Sequence, residues 1–288
     1  MRLAVTGVTG KIGSLIIKNL STESEVICFS KSKKLKLKFN SKKIKIFKHN
    51  FVKSPLKKKI DKKFDTILHL ANQNNQSRKD KSNNEKIIIN LVDSFQKISK
   101  FIFLSSQMVY GNPNKINVKE SFYLQPKSSY YASSKISCEH LLYKISVQTK
   151  MTVINLRISG ILNSKENLMF KIKENLKKNK DIKLYGGKNL YRDYLHTDDL
   201  EKVLKLIYKK RFEKSKTFIY NFSSFQNKTI YELVLIMKRY LKSKSKILIL
   251  NNPPIRENFS MNIKKIKKEL KFKNTSLEKM MSKFSYEK

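Results

Sequence analysis

Apolar residues along the chain fall into short, nearly continuous runs separated by longer segments of helical spacing. Residues 2–6, Val26–Phe29, Ile44–Phe47, Phe64–Ala71, Phe101–Leu104 and Thr152–Leu156 read as strands. The run Phe64-Asp-Thr-Ile-Leu-His-Leu-Ala71 is nearly unbroken, as expected of a strand covered on both faces. Helical patterns lie between the runs: one to about Leu20, one over 84–100 with Ile87, Ile88, Leu91, Val92 and Phe95 on one side, and one from Ser128 to about Ile145. Strands alternating with helices in this way predict an α/β fold, a Rossmann-like doubly wound parallel sheet. Beyond residue 157 the regularity loosens into helices near 166–177, 198–210, 228–242 and 262–270, with a strand at Thr217–Asn221. The expected division is a first domain over 1–160, with a return segment near 190–222, and a smaller domain made mainly of 161–288. The smaller domain is expected over the carboxyl ends of the sheet, where open α/β sheets bind ligands. No internal repeat or low-complexity linker is visible.

Charge adds one question to this picture. The 288 residues carry 63 basic and 22 acidic side chains, a net charge of +41. Such a field attracts phosphate backbones, which would suit a nucleic-acid binder. It also suits plain compositional drift, and the distribution favours drift. The lysines are dispersed from Lys11 to Lys288, aromatics are not interleaved with them, and arginine occurs only seven times. Nucleic acid is therefore not the expected partner, although the field should concentrate anionic ligands. No apolar run reaches the roughly eighteen residues of a membrane-spanning helix, so no membrane partner is expected. Met1–Gly7 leads directly into a strand, so no signal peptide is expected. Cys28 and Cys138 propose neither a disulfide framework nor a metal site, and suit a reduced, cytoplasmic compartment.

Two stretches carry chemistry. Gly7-Val-Thr-Gly10-Lys-Ile-Gly13 joins the first strand to the first helix in a chain with only seven glycines. The first glycine permits a tight turn, the second lets backbone approach a pyrophosphate, and the third lets helix pack on strand. The helix N-terminus then offers N–H groups to phosphate. The second strand ends in Ser30-Lys31 without the acidic residue that would hold the ribose hydroxyl of NAD. A serine followed by lysines suits a 2′-phosphate, so NADP(H) is favoured and NAD(H) stays open; the lysines read equally well as ordinary surface residues. In the second stretch, Tyr131 and Lys135 stand four residues apart on one helix face. An ammonium beside a phenol favours the phenolate, so Lys135 is expected to lower the tyrosine's pKa towards the range useful for proton transfer. Tyr123/Lys127 and Tyr240/Lys244 share the spacing, but only Tyr131 follows a buried strand that ends in hydroxyls, Ser105-Ser106.

Taken together, the chain resembles the extended short-chain dehydrogenase/reductases, in particular the NAD-dependent epimerase/dehydratase group acting on nucleotide sugars. The resemblance rests on Thr6–Gly13, Ile67–Ala71, Asn90, Ser105–Gly111, Tyr131/Lys135, Leu156-Arg157, Arg192–Asp199 and the helix near Met261–Phe272. It implies that Tyr131 is the acid/base, that Ser106 hydrogen-bonds the reacting oxygen, and that Lys135 holds the nicotinamide ribose. Gly7, Gly10, Gly13, Ala71 and Asn90 fall at cofactor positions, and Arg192 and Arg256 where the family sets arginines against the nucleotide-sugar diphosphate. A homodimer through the helices near 84–100 and 129–146 is implied as well. The family's 4,6-dehydratases carry an Asp-Glu pair where this chain has Gln107-Met108, and its 3,5-epimerases a cysteine where Met108 stands. Gly160 replaces a frequent substrate-contacting asparagine. The implied activity is hydride chemistry at one carbon: 4-epimerisation or reduction of a 4-keto sugar. The alternative is a non-catalytic, cofactor-binding protein of the same fold whose basic surface engages nucleic acid or an acidic partner.

Overall fold

The computed structural model describes residues 2–20, 25–31, 44–60, 64–74, 77–111, 113–126, 129–225, 227–250 and 257–287. Its first half runs β1 (Arg2–Thr6), α1 (Gly13–Leu20), β2 (Glu25–Ser30), β3 (Ile44–Lys48), β4 (Phe64–His69), α2 (Lys79–Asp93), β5 (Ile98–Ser106), β6 (Lys115–Val118), α3 (Tyr130–Gln148) and β7 (Thr152–Ile158). The second half runs β8 (Gly160–Ile161), α4 (Leu168–Lys177), β9 (Ile182–Tyr185), β10 (Tyr194–Leu195), α5 (Thr197–Lys209), β11 (Thr217–Phe222), α6 (Ile230–Tyr240), β12 (Ile247–Leu250), β13 (Phe259–Met261), α7 (Lys264–Leu270) and α8 (Leu277–Tyr286).

Seven strands form one parallel sheet in the order β11-β7-β5-β4-β1-β2-β3. The chain moves outward from β1 to β3, then returns to the other side of β1 as β4. That reversal is the switch point at which doubly wound sheets open a ligand crevice. The register aligns Phe29, Thr6, His69 and Phe103 across β2, β1, β4 and β5, so four strands deliver their carboxyl ends at one level. Buried Ile27, Phe29, Ile67, Ile88, Leu91, Phe101, Cys138 and Val153 share the core that holds α2 and α3 to this sheet.

The chain divides into two compact units. The first comprises 1–111, 124–157 and 207–220; the second comprises 112–123, 158–206 and 221–288. The exchange is more interleaved than the patterning suggests, because 112–123 leaves the first unit before α3 and, within the expected return segment 190–222, only 207–220 belongs to it. The second unit has its own core, with Met169, Ile172, Leu176, Leu233, Val234, Met280 and Phe284 joining α4, α6 and α8. Three small parallel pairs, β8–β10, β9–β12 and β6–β13, lie outside the main sheet.

Helix α2 differs from its expected bounds of 84–100: it begins at Lys79 and ends at Asp93. The apolar spacing runs on to Phe95 because that ring still packs on the same core, 5.1 Å from Phe64 and 6.1 Å from Phe29. The helix has ended by then. Ser94 turns its hydroxyl back to the Asn90 carbonyl at 2.6 Å and accepts the Leu56 amide at 2.8 Å. The polar first turns, Lys79–Asn84, carry no apolar period and so escape the pattern.

Candidate active site

Gly7 has φ +75°, and a Cβ there would come within 2.5 Å of the Ala71 nitrogen. The turn after β1 therefore presses against the segment after β4, which gives Ala71 its place beside the glycine loop. A Cβ on Gly13 would lie 2.3 Å from the Gly7 carbonyl oxygen. The loop closes through Gly10 N–H to Gly7 O at 2.9 Å, and Ser14 N–H returns to Gly10 O at 3.0 Å as α1 starts. A backbone cradle without side chains at the head of a helix fits a dinucleotide pyrophosphate. Ser30 ends β2 as a buried residue and Lys31 follows as an exposed one.

Helix α3 opens at Tyr130 with Ser129 as its cap, the Ser129 hydroxyl accepting the Ala132 amide at 3.2 Å. The face it buries carries Ala132, Ser134, Lys135, Cys138, Glu139 and Leu142. Across from it, β5 ends at Ser106, whose hydroxyl accepts the Met108 amide at 3.2 Å and starts a short 3₁₀ turn over Gln107–Tyr110. The Ser106 side chain lies near enough to the Tyr131 phenol to favour its ionised form.

At Tyr131 the net electrostatic shift runs opposite to the expected one. The Lys135 ammonium donates to the Leu104 carbonyl at 2.8 Å and lies over the rings of Phe103 and Tyr131, 4.6 and 5.7 Å from their centroids. Burial pushes the Tyr131 phenol above its ordinary value, and the nearby Ser106 hydroxyl opposes that rise. The same burial lowers Lys135 to about 8. The neighbouring His69 falls to about 3, first through burial and then through the charge of Lys135. That imidazole is neutral, with Thr6 Oγ1 2.7 Å from Nδ1 and the Phe103 ring stacked at 5.8 Å.

Patterning passes over two further groups. Asn84 is buried in α2, accepting the Gln73 amide at 2.7 Å while donating to the Gln73 carbonyl at 3.0 Å and to Ser134 Oγ at 2.7 Å. It ties the segment after β4 to the residue preceding Lys135. Asn90 has a different position: its amide donates to the Phe51 carbonyl at 2.7 Å and fixes α2 to the segment after β3. The second group is a buried ion pair. Arg157 on β7 meets Glu139 on α3 at 2.6 Å, with a second contact through Nε at 3.0 Å. Ser105 Oγ donates to the same carboxylate at 2.5 Å, and Arg157 Nη1 donates to the Tyr110 hydroxyl at 2.9 Å. Both ends of the Ser105–Tyr110 segment are therefore pinned. An acid four residues beyond Lys135 on the same face, in so basic a chain, was the sequence signal for it.

The competing tyrosines have other surroundings. Tyr123 is exposed, and Tyr240 donates its hydroxyl to Glu278 at 2.6 Å. In the second unit, Arg192 Nη1 donates to the carbonyls of Tyr191, at 2.9 Å, and Glu257. Arg256 lies outside the described residues. Among the described residues no grouping of three or more His, Cys, Asp or Glu side chains can hold a metal ion, and no helix is long and apolar enough to cross a membrane.

Residues 3–222 match the NAD dependent epimerase/dehydratase family. Over 191 residues the chain is 32% identical to a dTDP-D-glucose 4,6-dehydratase of Dictyostelium discoideum, a match covering 58% of this chain and 44% of that protein. The chain spans less than two thirds of the length of the curated relatives it matches. Its fold is similar to that of UDP-N-acetylglucosamine 4-epimerase from Methanobrevibacter ruminantium M1 in complex with UDP-N-acetylmuramic acid, with a TM-score of 0.82, 22% identity and coverage of 99% and 96% of the two chains. It is also similar to UDP-glucose 4-epimerase from Bifidobacterium longum in complex with NAD+ and UDP, with a TM-score of 0.75, 18% identity and coverage of 99% and 97%.

Proposed function

The chain belongs to the NAD dependent epimerase/dehydratase family, and we propose that it is a nucleotide-sugar 4-epimerase or 4-keto-sugar reductase working at one sugar carbon. The observation that carries this reading is the Ser106 hydroxyl beside the Tyr131 phenol at the carboxyl end of β5, with the Lys135 ammonium over the tyrosine ring. A bound nicotinamide cofactor would supply or take up the hydride. Tyr131 would exchange a proton with the oxygen on the reacting carbon, and Ser106 would hydrogen-bond that oxygen. A phenol kept protonated by burial rests as the acid, the form that donates to a developing alkoxide when a ketone is reduced. Oxidation in the reverse direction asks for the phenolate, which the neighbouring Ser106 hydroxyl favours.

Gln107 and Met108 follow Ser106 and offer no group that transfers protons, which argues against eliminating water, the activity in the name of the Dictyostelium relative. Arg192 is the described candidate for the diphosphate, because a planar guanidinium fork matches phosphate oxygens. The deciding experiment incubates purified protein with UDP- and dTDP-linked hexoses and with their 4-keto forms, in the presence of NAD(H) or NADP(H). Epimer formation or ketone reduction at C4 supports the proposal. A 4-keto-6-deoxy product, or no turnover with any of them, overturns it.

A further inference from the structure

We propose that Glu139 is a positioning residue for the reaction: through Ser105 it fixes the carbonyl that holds the Lys135 ammonium over the Tyr131 ring, and its carboxylate is the counter-charge of that ammonium. The inference rests on the reading of the site above and adds what keeps its lysine in place and charged.

Glu139 lies on α3 one turn beyond Lys135, on the same buried face. Its Oε1 accepts the Ser105 hydroxyl at 2.5 Å. The residue before Ser105 is Leu104, whose carbonyl accepts from the Lys135 ammonium at 2.8 Å. Two consecutive residues of β5 are therefore tied to two successive turns of α3. Loosening the Ser105 tie lets the Leu104 carbonyl drift, and the ammonium with it. Among the described residues that ammonium has no direct ion-pair partner; it meets one carbonyl and the rings of Phe103 and Tyr131. The other ionisable groups around it supply no negative charge at neutral pH. His69 on β4 is neutral, the Tyr131 phenol is protonated, and burial pushes the Cys138 thiol up to about 12. Glu85 on α2 faces Cys138 and accepts the Ser137 hydroxyl. Arg157 on β7 is a second cation, divided between Glu139 and the Tyr110 hydroxyl. Burial lowers Lys135 to about 8, with the charges of Cys138 and Glu139 opposing the fall. Since the thiol is uncharged in that range, the opposition comes from Glu139. Without its carboxylate the lysine gives up its proton at lower pH, and the phenol then loses the neighbouring ammonium.

The test follows turnover, at saturating cofactor, of the nucleotide sugar that the wild type converts best, from neutral to alkaline pH. The wild type should lose activity as pH rises through about 8. In Glu139→Gln that loss should begin at least about half a pH unit lower, because nothing then opposes deprotonation of the lysine. Should Glu139→Gln fail to fold, Glu139→Gln/Arg157→Met removes both ions of the buried pair and should show the same displaced limb. Glu139→Asp keeps the charge and should keep the wild-type limb. Ser105→Ala keeps the charge and loses the tie, so its turnover below the limb should fall at least about tenfold with the limb unmoved. A merely structural role for Glu139 would lower turnover without displacing any limb. An unmoved limb in the proteins lacking the carboxylate, an equal displacement in Glu139→Asp, or full turnover in Ser105→Ala overturns this inference and leaves the proposed function standing. Absence of turnover by the wild type with every nucleotide sugar overturns both.

Discussion

Tyr131 stands apart from Tyr123 and Tyr240 because its phenol lies near Ser106 at a strand end and its ring lies beneath the Lys135 ammonium. Tyr131→Phe should lower turnover by at least about a hundredfold with cofactor affinity nearly unchanged. Steady-state kinetics beside a cofactor titration measures both, with Tyr240→Phe as control; wild-type turnover in the variant would end the assignment. Glu139 and Arg157 act at the same scale by holding rather than reacting. Their pair is nearly solvent-free, each side chain 3% exposed, so neutralising one partner strands the other's charge. Glu139→Gln should cost about 3–5 kcal/mol in denaturant unfolding, since a buried ion must then lose its counter-ion. The double variant Glu139→Gln/Arg157→Met should recover part of that loss, and strictly additive losses would contradict the coupling.

At the scale of elements, much of the first unit is legible from sequence. Six strands of the main sheet show as short, mainly apolar runs, and the seventh, β11, shows as a short run at Thr217–Asn221. The glycine loop and the tyrosine helix combine local spacing with local chemistry. The small pairs are not legible, because β8 and β10 are two residues long and meet only through a partner more than thirty positions away, Tyr194 beside Gly160. Asn84 escapes for the same reason: it joins Gln73 to Ser134, fifty residues further on. The end of β2 makes a local prediction. With Ser30 and Lys31 in place of a carboxylate, NADPH should bind more tightly than NADH, and Lys31→Ala should narrow the gap. Competitive titration decides it; equal affinities, or tighter NADH binding unaffected by Lys31→Ala, refute it. Helices α2 and α3 make another. Ile89, Tyr143 and Val147 leave large apolar side chains exposed on them, at 43%, 59% and 63%. A homodimer through this pair of helices would cover those side chains, and Val147→Lys should then give monomers by light scattering at moderate salt. Monomers in the wild type under those conditions would refute the dimer.

The whole molecule carries +41, and that field bears on both the proposed substrate and the competing reading of the chain as a nucleic-acid binder. Like charge over the entire surface repels a second copy at low salt and draws in any polyanion, and about 10 Å of screening at 0.1 M salt weakens both effects. A diffuse field and a built site differ in how they respond to single substitutions. Lys57, Lys58 and Lys59 are three consecutive exposed lysines. If the charge is drift, neutralising all three should leave turnover unchanged and only shallowly weaken binding to random duplex DNA, which should itself fall steeply with salt. Arg192 is a different case, its guanidinium set by carbonyls of its own unit. If it meets the diphosphate, Arg192→Ala should cost about 2–4 kcal/mol of nucleotide-sugar binding, because a desolvated anion loses a charged partner. The two variants are assayed together, for catalysis and for DNA binding at physiological salt. A fall of at least about thirtyfold in nucleotide-sugar affinity for Arg192→Ala, with the lysine variant unaffected, supports the enzyme. Should Arg192→Ala keep full turnover while the lysine variant loses a structure-selective nucleic-acid complex, the basic surface is the functional one and the enzyme reading gives way.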